Sequence, residues 1–209
     1  MNEVRHKNPI IDRTLFHHHA YRSCCAVTAL NNFTMYALLF QVPILLIVMG
    51  IKGPLVAGTV LFGMTAAMMV SGLASGFITN LFGQRQTLIG AQLFSIIGFV
   101  LLLQLKTGPD KEMITAAIAF IGIGVDLTMP IIQTVAMSSL PVGQAGMAAG
   151  GMGVTRYLGG VLGISIMSLL LQAGDNLETH KLLFEIHIGI AIVIAGIALM
   201  LPAHQRVVD

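Results

Sequence analysis

Between Arg22 and Lys52 the sequence runs for 29 residues without a charged side chain, and between Lys52 and Arg85 for 32. Arg85 to Lys106 and Glu185 to Arg206 each enclose a further 20. A helix rising about 1.5 Å per residue crosses a hydrocarbon core of roughly 30 Å in about 20 residues, so each run holds one span. The stretch from Met113 to Leu171 is longer and carries two charges, Asp126 and Arg156. It breaks at Ser138-Ser139-Leu140-Pro141-Val142-Gly143, a cluster of turn-forming residues. The chain therefore reads as an all-α integral membrane protein with six transmembrane helices at roughly 24–49, 55–80, 87–105, 113–138, 145–171 and 183–202. These define a basic N-terminal tail at 1–22, a six-helix domain at 23–203 and a C-terminal tail at 204–209.

Composition excludes the alternatives. Apolar residues make up 56% of the chain and charged residues 10%, more apolar surface than a soluble domain of this size can hide. A net charge of +2 leaves no electrostatic footprint for nucleic acid. A β-barrel would show segments of alternating polarity, and these runs do not alternate. No phosphate loop, zinc spacing or HExxH motif occurs. Gly72-Leu73-Ala74-Ser75-Gly76 lacks the serine spacing of rhomboid proteases, and no histidine is placed as its base. Neither an enzyme nor a bound cofactor or metal is expected.

Arg5, Lys7, Arg13 and Arg22 in the first 22 residues, with no apolar h-region, place that tail in the cytoplasm. Six spans return the C-terminus to the same side, with Arg85 and Arg206; Lys52, Lys106, Lys111 and Lys181 fall outside. Cys24 and Cys25 are adjacent, which disfavours a disulfide between them, and read as small apolar residues at a helix start. His17-His18-His19 has no second ligand cluster and reads as an interfacial polar patch.

Polar side chains are unevenly distributed. The first span carries Asn31, Asn32 and Gln41, followed by Pro43; the fourth carries Asp126 and Gln133 around Pro130. The third and sixth are nearly pure Leu, Ile, Val, Ala, Gly and Phe, apart from Gln92 and Gln104, and from Glu185 and His187 near an end. Polar groups at bilayer depth face protein or a water-filled cavity, so spans one and four should line a cavity, with three and six toward lipid. Recurrence at three-helix spacing is the pattern of a 3+3 inverted repeat. Spans two and five are glycine-rich: Gly58, Gly63, Gly72 and Gly76 in one, and Gly146, Gly150, Gly151, Gly153, Gly159, Gly160 and Gly163 in the other. Several are four apart, the spacing that lets helix backbones approach closely.

Asp126 and Arg156 lie 15 residues to either side of Pro141. In a helical hairpin that places both about 20 Å from the turn, near the bilayer midplane. Three readings follow: a structural ion pair, a titrating carboxylate that relays protons or contacts a cation, or two side chains on different faces.

Gly76-Phe77-Ile78-Thr79-Asn80-Leu81-Phe82-Gly83-Gln84-Arg85 resembles the second-half copy of the Gly-x-Leu-x-Asp-Arg-x-Gly-x-Arg loop of the major facilitator superfamily. Gly76, Gly83 and Arg85 match, whereas Asn80 stands where Asp is usual and Leu81 where Arg is usual. The run from Pro130 through Pro141-Val142-Gly143-Gln144 to Thr155-Arg156-Tyr157-Leu158-Gly159-Gly160-Val161-Leu162-Gly163 resembles the penultimate helix of fourteen-helix drug:proton antiporters. Pro9 to Phe16 resembles the lead-in to that family's C-terminal six helices.

The resemblance implies the C-terminal half-bundle of a multidrug efflux transporter in a bacterial inner membrane. It implies a small-molecule substrate, amphipathic or hydrophobic, and a partner that is either the other six-helix half or a second copy. Asn31, Asn32, Gln41, Asp126 and Gln133 are the substrate-facing candidates, Asp126 on its depth alone, since the resembled branch usually has a small residue there. Gly146, Gly150, Arg156, Gly159, Gly160 and Gly163 would pack between halves, and Gly76, Asn80, Gly83 and Arg85 would form a cytoplasmic gating loop. The competing reading is a membrane fragment or interaction subunit without transport of its own.

Overall fold

The computed structural model describes residues 18–201 apart from 107, 109, 173 and 175. The expectations for the tails, for His17 and for the lead-in at Pro9 to Phe16 lie outside the described residues. Six helices follow one another: α1 (His19–Val48), α2 (Pro54–Phe82), α3 (Gln84–Leu103), α4 (Lys111–Ser138), α5 (Ala145–Gln172) and α6 (Leu177–Met200). All six are long and apolar enough to cross a membrane. The protein is a multi-pass integral membrane protein.

Local chemistry sets the boundaries. Pro54 opens α2, where its missing N–H costs no helical hydrogen bond. Asp110 caps α4 by accepting from the Met113 N–H at 3.2 Å, and Asn176 caps α6 by accepting from the Thr179 N–H at 2.9 Å. The α4–α5 turn falls at the expected Ser/Pro/Gly cluster and contains a single 3₁₀ turn, Val142–Gln144. Two helices begin earlier than hydropathy alone suggests: α1 at His19 and α6 at Leu177. Both carry a polar first turn, which interfacial water and capping stabilise without apolar side chains.

Helix neighbours follow a simple order. A row runs α5–α1–α4–α2, with α3 and α6 packed behind it, α3 against α4 and α6 and α6 against α1. Exchanging the first three helices for the last three maps the α1–α5 contact onto α4–α2. Because α1 and α4 are an odd number of spans apart, they run in opposite directions, so the repeat is inverted. The repeat is imperfect, since α3 approaches α4 more closely than α6 approaches α1. A Cβ on Gly98 would collide with the Ala117 carbonyl, and one on Gly124 with that of Ala91, so only glycine permits the α3–α4 crossing. Between α6 and α1 stand buried histidine rings, His180 beside Gln41 and His187 6.1 Å from the Phe33 ring.

The starts of α1, α3 and α5, with the ends of α2, α4 and α6, form what we call the near end; the opposite end is the far end. The apolar core divides along this axis. One cluster at the near end joins Tyr21, Cys24, Leu88, Ile132, Met152 and Ile194. Another at the far end joins Leu45, Met64, Phe99, Ile118 and Phe184. Between them lies a layer of buried polar side chains: Thr28, Asn31, Asn32, Gln92, Ser95 and Thr128.

The third and sixth helices are not simply lipid-facing. Each buries one stripe, Leu88, Gln92, Ser95 and Phe99 on α3 and His180, Phe184 and His187 on α6, and exposes another. The helices with least buried surface are α2 and α5.

Candidate functional site

The polar middle layer is built where α1, α3 and α4 cross. Asn31 of α1 donates through Nδ2 to the Val125 carbonyl of α4 at 2.9 Å. Asn32 donates to the Thr28 carbonyl of its own helix at 2.8 Å and approaches the Met129 sulfur at 3.6 Å. Gln92 of α3 donates to Thr128 Oγ1 at 2.9 Å, and Thr128 donates onward to the Gly124 carbonyl at 2.8 Å. Nearer the far end, Gln41 Nε2 lies 3.2 Å from His180 Nδ1. In hydrocarbon an amide has no water to turn to, so it takes the nearest protein acceptor.

This corrects the expectation for three candidates. Asn31, Asn32 and Gln41 are 2%, 3% and 0% exposed, so within this chain they join helices and do not face a cavity. Asp126 and Gln133 differ. They stand seven residues apart on α4, hence on one helical face, with Asp126 half-buried and Gln133 exposed. Met129 and Pro130, also half-buried, lie on the same stripe. Pro130 has no N–H to donate to the Asp126 carbonyl, so the helix offers a carboxylate and an under-satisfied carbonyl at one residue.

Asp126 and Arg156 form no ion pair; among the described residues the pair within 4 Å is Lys181–Glu178. The Asp126 carboxylate rests against Gly72 of α2, in space that a side chain there would occupy. Arg156 sits half-buried on α5, its Nε without a hydrogen-bond partner. Equal depth brings two residues to one level, but α4 turns its charge toward α2 while α5 packs on α1.

The glycines of α5 also act differently from the expectation. Gly159 and Gly163 meet the α1 backbone at Ala29 and Phe33, and Gly160 meets the Tyr36 ring. They close a contact inside this chain. Gly146 and Gly150 face open space. On α2, Gly72 meets Asp126 and Gly63 meets Thr115, so this helix too directs glycines at its partner α4. The expected gating loop is not a loop over most of its length, since Gly76 and Asn80 are helical and α2 passes to α3 through Gly83 alone, at φ +85°. That conformation is open to glycine and strained for other residues.

Two histidines of α6 are buried, His180, which the sequence did not single out, and His187, which it placed near a helix end. His187 is ten residues into α6, about 15 Å from its start. Its Nδ1–H donates to the Leu183 carbonyl at 2.6 Å, and its ring lies 5.0 Å from that of Phe99. With α6 placed from 183 onward His187 falls near an end; the Asn176 cap is the signal that would have moved it inward. Among the described residues no group of three His, Cys, Asp or Glu side chains forms a metal site.

Comparison with known proteins agrees with this architecture. Multidrug resistance protein Stp of Mycobacterium tuberculosis is 27% identical over 182 residues, covering 85% of this chain and 33% of Stp. Multidrug transporter protein MdtP of Bacillus subtilis is 26% identical over 183 residues, covering 86% of this chain and 34% of MdtP. The Methylenomycin A resistance protein of Bacillus subtilis is 21% identical over 174 residues, 82% of this chain and 37% of that protein. The chain thus spans about a third of the length of the curated relatives it matches. A family model for the Major Facilitator Superfamily matches residues 3–164. Six apolar helices in two inverted triplets and a family match over most of the sequence lead to one conclusion: the chain belongs to the Major Facilitator Superfamily.

Proposed function

We propose that this chain acts as the C-terminal six-helix half of a multidrug efflux transporter, exporting amphipathic or hydrophobic small molecules in exchange for protons. Its partner in the membrane is the other six-helix half or a second copy of itself. The near end faces the cytoplasm of a bacterial cell and the bundle sits in the inner membrane. The names of Stp, a multidrug resistance protein, and MdtP, a multidrug transporter, support the substrate class.

The observation that carries the reading is Asp126. It is a carboxylate halfway along a membrane helix, partly exposed, with no hydrogen-bond or ion-pair partner among the described residues. A group of this kind persists at bilayer depth when it faces water or a substrate path. On this reading Asp126 carries the exchanged proton or contacts a cationic substrate, and Gln133, two turns away on the same face, contacts the substrate further along.

The test is export of a lipophilic cationic dye from pump-deficient cells expressing the chain. Wild-type export that is lost in Asp126→Asn, with the protein still present in the membrane, supports the reading. Export unchanged by the substitution removes Asp126 from the mechanism. No export by the wild type, even with a compatible N-terminal half supplied, favours a non-transporting fragment.

A further inference from the structure

We propose that the cleft between α2 and α3 is a phospholipid site, with one acyl chain in the cleft and the lipid phosphate at Arg85. α2 and α3 both pack on α4 but touch each other little, which leaves a groove with α4 as its floor. Its volume is about 770 Å³. Small residues, Ala67, Ala74 and Gly90, hollow it, Val70 and Phe94 wall it, and Leu127 lies at its base. The hydroxyls in its lining are taken up by backbone carbonyls one turn back: Ser71 donates to the Met68 carbonyl at 2.9 Å and Thr87 to the Gly83 carbonyl at 2.8 Å. The groove therefore presents hydrocarbon along its length. From Ala66 to Phe82 it follows α2 for about 24 Å, longer than one leaflet of about 15 Å. Within a bilayer the occupant of such a slot is an acyl chain.

The mouth, at Phe82 and Gln86, selects the headgroup. Arg85 lies beside it, half-exposed, with no hydrogen-bond or ion-pair partner among the described residues. The α3 N-terminus begins at the same place, with Gly83 as its N-cap, no capping side chain and no acidic residue in its first turn. Unsatisfied N–H groups and the helix dipole there favour an anion. Among the described residues the near end holds Arg22 and Arg85 and no carboxylate. Asp110, Glu112 and Glu178 stand at the far end, and Glu185 is about two turns inside it. Among the described residues an apolar slot, a guanidinium without a partner and an uncapped helix start meet at one point, and an anionic phospholipid satisfies all three.

Native mass spectrometry of the full chain, delipidated in mild detergent and offered phosphatidylglycerol or phosphatidylcholine with identical acyl chains, tests this. One interfacial cation corresponds to about a fivefold preference for phosphatidylglycerol. Arg85→Gln should bring the preference to about unity, and Arg85→Lys should retain most of it. Ala74→Trp fills the groove without entering the α2–α4 contact and should abolish retention of both lipids; circular dichroism confirms that the bundle persists. Equal retention of the two lipids by the wild type overturns the proposal. So does an undiminished preference in Arg85→Gln, or lipid retention by Ala74→Trp at the wild-type level. Efficient disulfide linkage between two copies of Ala74→Cys, with no lipid retained, would overturn it in favour of a second copy in the groove.

Discussion

Two glycine-to-alanine substitutions on one helix should move stability in opposite directions. Gly159 sits where α5 crosses α1, and a Cβ there would fall onto the Ala29 carbonyl oxygen and within 2.8 Å of its Cα and carbonyl carbon. These are backbone atoms and no rotamer change relieves them. One turn on, Gly163 is held within 3.1 Å of the Phe33 Cα by the same measure, so rotating α5 exchanges one collision for another. The helices must separate, at about 1–3 kcal/mol for overpacking, against which alanine's helix propensity returns about 1 kcal/mol. Gly150 lies nine residues earlier, with nothing within 4 Å of its Cβ position, so Gly150→Ala gains the propensity term without a collision. The expected outcome is Gly159→Ala destabilised by up to about 2 kcal/mol and Gly150→Ala stabilised by up to about 1 kcal/mol. Unfolding in a detergent-to-SDS titration, followed by helical circular dichroism, measures both. If Gly159→Ala unfolds at the same or a higher SDS fraction than Gly150→Ala, the α1–α5 crossing is not set by backbone contact.

Two further outcomes are accessible to the same titration. Gly83→Ala places a Cβ at φ +85° and ψ 157°, a region nearly exclusive to glycine, and should cost about 1–3 kcal/mol while leaving the spans intact. Tyr21→Phe removes the buried 2.9 Å hydrogen bond from the phenolic hydroxyl to the Ala148 carbonyl and should cost about 0.6–1 kcal/mol; no loss would mean the bond is replaced.

Much of the candidate site was visible in the sequence as residue identities but not as directions. The asparagines at 31 and 32 were recognisable as membrane-depth polar groups, and the structure puts them at that depth. Their targets, the Val125 carbonyl and the Thr28 carbonyl, depend on where α4 crosses and on each helix's rotation. Gln92 looked incidental in an aliphatic helix, yet it ties α3 to Thr128. Arg85 was legible as a matching motif position, whereas its lack of a carboxylate neighbour among the described residues needed their tertiary placement.

The sequence by itself determined the spans, their number, their turns and the family. Hydrocarbon leaves a backbone only the helix or the closed barrel, and continuous runs of about 20 apolar residues announce helical crossings. Tertiary structure alone decided which face of each helix meets which neighbour. In water an apolar stripe marks the buried face; in lipid both the protein interior and the surroundings are apolar, so hydropathy carries no such mark. The choice then falls to glycines that admit a backbone and to amides that find an acceptor. That is why Asp126 and Arg156, equally far from Pro141, share a depth but face different helices.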